Sequence, residues 1–245
     1  MPALSHCLIW HSMTSLLVLR PGQAGADLVA MLAQKDISVR HAPTLTIEPL
    51  TFRLPEQPSD YVIFISPNAV LHAQQSLGQL CSAGQVLAVG PGTATALEDA
   101  GVSEPLLPAT FNSEGLLSMP ELQQVQNKRV LIVKGAGGRK LLVSTLAERG
   151  AICDTLDVYE RHPCKITTEI WQWYGQASER GLTAASIETL EAFEQQRQAS
   201  NHPKPGFILV ASDRIAETAQ RLGYTNVHNV GGASNRHFAR AIEQR

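Results

Sequence analysis

Short apolar runs alternate with longer amphipathic stretches along most of this chain. Leu16–Leu19, Tyr61–Ile65, Val86–Val89, Val130–Val133, Gly181–Ala185 and Phe207–Val210 are such runs, each leading into a turn containing Gly, Pro or Ser. Runs this short, apolar on both faces, predict strands buried in parallel sheets, with the amphipathic stretches as the helices between them.

The pattern repeats itself. Leu16–Pro49 lies over Val130–Pro163 without a gap, at an offset of 114 residues. Leu17, Leu28, Val29, Leu32, Ala33 and Pro49 meet the same residue type at Leu131, Leu142, Val143, Leu146, Ala147 and Pro163. Other pairs are conservative, Arg20 with Lys134 among them. Both copies read as strand, Gly-containing turn, helix, second strand. The correspondence continues: Tyr61–Ile65 ending at Ser66 answers Gly181–Ala185 ending at Ser186, now at offset 120. Val86–Val89 before Gly90-Pro91-Gly92-Thr93 answers Phe207–Val210 before Ala211-Ser212-Asp213. Asn112-Ser113-Glu114 answers Ala233-Ser234-Asn235. The fold class is therefore α/β: two similar parallel-sheet lobes arising from an internal duplication. The repeat taken alone predicts tandem domains divided near residue 125. Two lobes invite a cleft, where small ligands usually bind. The least repetitive segments are 163–180 and 194–206, and the second reads as an exposed loop.

In parallel sheets ligands bind beyond the carboxyl ends of the strands. Ser66, Thr93, Ser113, Ser186, Ser212 and Ser234 all fall at or near strand-to-helix turns. Each can cap its helix, and each turn can offer N–H groups to an anion.

Composition removes several function classes. A formal net charge of −2 argues against a nucleic-acid protein. No run approaches the roughly 18 apolar residues that cross a bilayer. The four cysteines form no CxxC pair and the eight histidines no HxH or HExxH spacing, so neither a disulfide framework nor a metal site is expected. Free thiols fit the cytoplasm. Residues 1–12 have no repeat partner, make a poor signal peptide and precede Met13, so a mis-assigned start is a plausible origin and the segment is expected to be dispensable.

Gly90-Pro91-Gly92-Thr93 resembles the start of a dinucleotide fingerprint but has Thr95 where the final glycine belongs. Lys134-Gly135-Ala136-Gly137-Gly138-Arg139 follows a strand yet lacks the ending of a P-loop. These glycines instead let backbone approach some other anionic ligand. In the strand from Ile152, alternation places Ile152, Leu156 and Val158 on one face and Thr155, Asp157, Tyr159 and Arg161 on the other. The repeat partner of Tyr159 is Leu45, so the duplicated fold does not demand a tyrosine there. On this reading its hydroxyl is hydrated in the free protein. A phenol keeps its proton at neutral pH and can donate a hydrogen bond or a proton. No Ser–His–Asp order and no nucleophile stands out, so positioning and hydrogen bonding would dominate any catalysis.

LLVLRP at 16–21, ISPNAV at 65–70, AVGPGTATAL at 88–97, NSEGLL at 112–117, KGAGGRKLL at 134–142 and VYERHP at 158–163 stand in this order. Together they resemble the uroporphyrinogen-III synthase family, from Leu16 to the C-terminus. Departures lie at Thr183–Ser186 and Val210–Arg214, which follow the family's serine turns loosely, and at Lys134, where the family usually has arginine.

The resemblance implies flavodoxin-like lobes that exchange their ends. Residues 1–44 and 166–245 would form one lobe and 49–158 the other, with extended linkers at 45–48 and 159–165. It implies cyclisation of hydroxymethylbilane, a linear tetrapyrrole with eight carboxylates, with loss of water and inversion of the last pyrrole. No metal or other cofactor is implied. Tyr159 would assist departure of the hydroxyl. Ser66, Thr93, Ser113, Lys134, Gly135, Gly137, Arg139 and Ser186 would hold carboxylates. A cytoplasmic monomer is expected, without nucleic-acid or membrane partners, and with a transient contact to hydroxymethylbilane synthase. The competing readings are a two-lobed binding protein without chemistry and a nucleotide-dependent transferase.

Overall fold

The computed structural model describes residues 14–35, 37–138 and 140–245. The segment 1–12 and Arg139, both singled out above, lie outside the described residues. In chain order the elements begin with β1 (Thr14–Val18), α1 (Gly22–Ala33), β2 (Val39–His41) and β3 (Leu45–Pro49). Next come β4 (Tyr61–Phe64), α2 (Pro67–Ala73), α3 (Leu77–Leu80), β5 (Gln85–Ala88), α4 (Pro91–Asp99) and α5 (Ser113–Ser118). They are followed by β6 (Arg129–Gly135), α6 (Leu141–Glu148) and β7 (Ile152–Pro163). The chain ends with α7 (Thr168–Gln176), β8 (Glu179–Ala184), α8 (Ile187–Ala199), β9 (Phe207–Val210), α9 (Asp213–Arg221), β10 (Val227–Asn229) and α10 (Asn235–Glu243). Among the described residues no helix is long and apolar enough to cross a membrane.

Two compact units result. Among the described residues, one comprises those up to Ile47 together with those from His162 to Arg245; the other comprises those from Glu48 to Arg161. The chain passes between them once within β3 and once within β7.

The first unit holds a five-stranded sheet in the order β10-β9-β8-β1-β2. Its ladders are parallel, with Leu16 opposite both Val39 and Gly181. Every residue of β1 is buried, because neighbours flank it on both sides and helices cover both faces. Leu28 and Leu32 of α1, Trp171 of α7, Phe193 of α8 and Phe238 of α10 join the strand residues in one core. Gly181 has a packing reason: a Cβ there would stand 2.1 Å from the Phe207 ring.

β1 thus shares a sheet with β9, whereas β4 pairs with β5 and β6. The tandem division near residue 125 is not what forms. Both copies of the repeat present equally apolar strands, so the pattern is compatible with either sheet, and the ends are exchanged.

The segment expected as a loop from Glu194 is also different. α8 continues to Ala199, and Glu194 is buried within it. Its carboxylate accepts both Arg197 Nε and Nη2 at 2.7 Å, Gln198 Nε2 at 2.7 Å and the Tyr224 hydroxyl. Burial works to raise the carboxyl pKa; the bonds from Arg197, Tyr224 and Gln198 outweigh it and hold it at about 2. A charged residue that the polar pattern assigns to solvent is here the buried hub between α8 and Tyr224.

The second unit has the order β3-β7-β6-β4-β5. Ile63, Leu87, Val130 and Ile132 pack with Leu116 of α5 and Leu142 and Leu146 of α6. Their neighbours Val62, Phe64, Leu131 and Val133 alternate to the opposite face and are buried as well. Ladders among β4 to β7 are parallel, so their carboxyl ends share one edge. That edge carries Ser66, Gly90, the Gly135–Gly138 turn and Tyr159.

Candidate active site

Tyr159 is 1% exposed, not hydrated as alternation alone would have it. The cause is a register shift. Lys134 lies opposite Asp157, but the next residue, Gly135, lies opposite Tyr159. Val158 is skipped, and the tyrosine ring is laid over Gly135. A Cβ at Gly135 would stand 2.5 Å from two ring carbons and 2.9 Å from the hydroxyl. The absence of a side chain at 135 is what gives the ring its place.

The phenol oxygen has two polar neighbours. Arg161 Nη2 donates to it at 2.8 Å, and Ser66 Oγ lies 3.1 Å away. The Arg161 guanidinium also sits over the ring, 5.1 Å from its centroid. Ser66 precedes α2 in extended conformation, and its hydroxyl accepts the Ala69 N–H at 3.0 Å. Pro67 at the first helical position suits this start, since the N–H it lacks would have had no partner. From the same helix, the His72 ring lies 5.6 Å from that of Tyr159. Burial pushes His72 below the ordinary imidazole value, so it is neutral beside the phenol at neutral pH.

The glycine turn beside this group is held from below. Lys134 Nζ donates to the carbonyls of Gly135 at 3.2 Å and Gly137 at 2.9 Å, and pairs with the Asp157 carboxylate at 2.7 Å. Gly137 and Gly138 both adopt positive φ, and a Cβ on either would meet open space. Two successive left-handed residues are costly for anything but glycine. The turn therefore offers exposed backbone at the carboxyl end of β6.

The other expected site residues are placed as follows. Thr93 is the third residue of α4; its N–H bonds to the Gly90 carbonyl at 3.0 Å and its side chain is buried. Gly90, not Thr93, precedes that helix, and Phe111 covers it while remaining 58% exposed. Ser113 is the first residue of α5, whose cap is Asn112, accepting the Gly115 N–H at 2.7 Å. Ser186 caps α8 in the first unit, accepting the Thr189 N–H at 3.2 Å. Ser234 caps α10 in the same way, whereas Ser212 makes no side-chain cap. Ser66, Tyr159, Gly135 and Lys134 thus gather on one edge of the second unit, with Thr93 and Ser113 on neighbouring turns. Arg161 and His72 were given no role by the residue pattern. Arg161 was within reach of it: two positions beyond Tyr159, it shares that face of the strand.

A sequence model of the family described as Uroporphyrinogen-III synthase HemD matches residues 26–229. The chain belongs to the uroporphyrinogen-III synthase family. It is 31% identical over 252 residues to the uroporphyrinogen-III synthase of Escherichia coli K12, covering 94% of this chain and all of that one. The Proteus mirabilis uroporphyrinogen-III synthase is 36% identical over 161 residues, 60% of this chain and 80% of that one. Among solved structures, uroporphyrinogen-III synthetase from Helicobacter pylori 26695 shares the fold with a TM-score of 0.64 at 16% identity, covering 95% of this chain and 100% of that chain. A mutant uroporphyrinogen III synthase from Thermus thermophilus does so with a TM-score of 0.59 at 18% identity, over the same shares. This uroporphyrinogen-III synthase family member is accordingly an enzyme of tetrapyrrole biosynthesis, a lyase.

Proposed function

We propose that this enzyme takes hydroxymethylbilane, removes its hydroxyl as water, and closes the ring with inversion of the last pyrrole to give uroporphyrinogen III. The observation that best supports a catalytic reading of the site is the setting of Tyr159. Its phenol meets a guanidinium at 2.8 Å and a serine hydroxyl at 3.1 Å, at the carboxyl end of a parallel strand. Electrons on the pyrrole nitrogen expel the hydroxyl once its oxygen receives a hydrogen bond or proton. The cationic carbon so formed must then meet the substituted position of the last ring and not the free one. That is control of geometry, which positioning supplies. Ser66 offers its hydroxyl to the bilane, and Ser113, Gly135 and Gly137 offer hydroxyl or backbone donors to the acetates and propionates; Ser186 is assigned to carboxylates from its sequence position. Lys134 contributes by holding the glycine turn, and Thr93 through the backbone of its helix start. Arg139, next in the sequence after Gly138, is assigned to the same task from its sequence position alone.

We read the lobes as 1–44 with 166–245 and 49–158, a reading supported by the separation of Glu48–Arg161 as one compact unit. The linkers 45–48 and 159–165 contain the points where the chain changes unit. We read the enzyme as a cytoplasmic monomer that meets hydroxymethylbilane synthase transiently.

The test is incubation with enzymatically made hydroxymethylbilane and chromatographic separation of the product isomers, beside a control without enzyme. Uroporphyrinogen III from the protein and the type I isomer from the control is the expected result. Tyr159→Phe should lower kcat roughly ten- to several-hundred-fold, as removal of one catalytic donor does, and still yield type III. Binding of the bilane without conversion would leave a binding protein; wild-type kcat in Tyr159→Phe would remove the tyrosine from the mechanism.

A further inference from the structure

The donor assigned to the reaction is buried, and the hydrogen bonds around it decide what it can reach. Each hydroxyl carries one proton and two acceptor positions. Ser66 Oγ already accepts the Ala69 N–H at 3.0 Å, and Tyr159 Oη already accepts Arg161 Nη2 at 2.8 Å. The contact between the two oxygens can run either way. If Ser66 donated, the phenol would accept twice and its own proton would leave a buried atom with no acceptor among the described residues. If Tyr159 donates, the serine accepts twice and its proton is free to point away from the pair. Leaving a buried donor unpaired is the costlier choice, so the tyrosine donates. Ser66 is only half-buried, whereas Tyr159 is enclosed. The free proton of the pair is therefore on the accessible hydroxyl.

We propose that Ser66 is the catalytic residue that touches the departing hydroxyl, that Tyr159 supplies the proton through it, and that Arg161 is a positioning residue behind both. This rests on the function proposed above. As the carbon–oxygen bond breaks, its electron pair leaves with oxygen, which takes the Ser66 proton and departs as water. The Tyr159 proton moves to Ser66 Oγ. The phenolate so formed lies against the Arg161 guanidinium in a charge-assisted bond. After ring closure, the proton that the last pyrrole loses on regaining aromaticity returns through Ser66 to Tyr159. One water is released, no net proton is consumed, and no oxidant or reductant enters.

The experiment compares Ser66→Gly, Ser66→Thr, Tyr159→Phe and the double variant Ser66→Gly/Tyr159→Phe in hydroxymethylbilane turnover. Glycine is nearly as good a helix cap as serine, so Ser66→Gly removes the hydroxyl without unfolding α2. A relay predicts that Ser66→Gly loses at least as much kcat as Tyr159→Phe, roughly ten- to several-hundred-fold, and that the double variant is no slower than Ser66→Gly. Ser66→Thr, with a hydroxyl in the same place, should restore most of the rate. Rates in mixtures of light and heavy water should curve for the wild type, with two protons in flight, and become linear in Tyr159→Phe. Arg161→Gln should lower kcat with KM unchanged, and Arg161→Lys should recover part of it. A folded Ser66→Gly enzyme with wild-type kcat beside a slow Tyr159→Phe would overturn the relay and put the phenol itself against the substrate. Losses that multiply in the double variant would overturn it too. If neither variant slows a wild type that makes uroporphyrinogen III, the Tyr159 site fails as a whole. If the wild type makes none, the proposed function fails with it.

Discussion

Replacing Gly135 by alanine tests the centre without touching any group that does chemistry. The new methyl would stand 2.5 Å from Tyr159 Cε2 and Cζ and 2.9 Å from the hydroxyl oxygen. Carbon atoms in contact sit about 3.5–4.0 Å apart, so the ring or the strand must give way by about 1 Å. The bond to Ser66 is already 3.1 Å long, and a retreat of that size carries it past hydrogen-bonding reach. Overpacking of this kind costs about 1–3 kcal/mol, or several degrees in Tm. Misplacing a catalytic group by about 1 Å costs on the order of 100-fold in rate. The expected result is therefore a folded enzyme, somewhat less stable, with kcat near that of Tyr159→Phe and product still of type III. Gly181→Ala is the control. Its methyl would strike the Phe207 ring in the first unit, so stability should fall comparably while kcat holds at a temperature where the protein is folded. Circular dichroism gives Tm, and chromatography of the oxidised porphyrins gives rate and isomer. A folded Gly135→Ala enzyme turning over at the wild-type rate would refute the claim that this glycine places the tyrosine.

Acid should act on the first unit through Glu194. Its carboxyl is held at about 2 when folded, against 4.5 for the reference group. The folded state binds fewer protons between those values, so the contribution is complete above pH 4.5 and is lost as pH falls towards 2. The amount is about 3 kcal/mol. Urea midpoints between pH 5 and 2 should fall more steeply in wild type than in Glu194→Gln; parallel curves would mean that the Glu194 carboxyl is not perturbed on folding. Lys134→Ala frees the glycine turn while leaving Tyr159, Ser66 and Arg161 in place. KM should rise roughly tenfold, consistent with about 1–2 kcal/mol for a lost charged contact, with kcat little changed. A change confined to kcat would mean that Lys134 acts on the tyrosine and not on the turn.

Much of the fold was legible because central strands of a parallel sheet must be apolar on both faces. Leu16–Leu19 and Phe207–Val210 could hardly be anything else. Ser66, Ser186 and Ser234 were legible as caps because each follows a strand and stands just before its helix begins. The sheet that receives β1 was not, since Leu16–Val18 and Val130–Ile132 present the same pattern and only the resemblance chose between them. Nor was the depth of Tyr159. Alternation is a rule about unbroken strands, and the skipped Val158 has no mark in the residues around it. Gly135 was visible, but as a place for an anion to approach; that a ring occupies it is a fact of cross-strand register. Glu194 escaped for a related reason. A carboxylate followed by glutamines and an arginine reads as solvent-facing until Tyr224, distant in sequence, is brought to it.

The exchange of ends has a consequence for synthesis on the ribosome. Residues 48–161 are contiguous, so that unit can fold while the rest of the chain is still being made. β1 cannot complete its sheet so early: its ladder partner β8 follows it by 165 residues, from Thr14 to Glu179. At about 5–20 residues per second, the strand waits roughly 8–33 seconds with only β2 and α1 for cover. An apolar strand left that long is an invitation to chaperones or to aggregation. A permuted chain that starts at His162 and joins the present C-terminus to Thr14 would make the first unit contiguous. It would cut the separation of these ladder partners from 165 to about 67 residues, roughly 2.5-fold, and give better yields of soluble enzyme in cells short of chaperones.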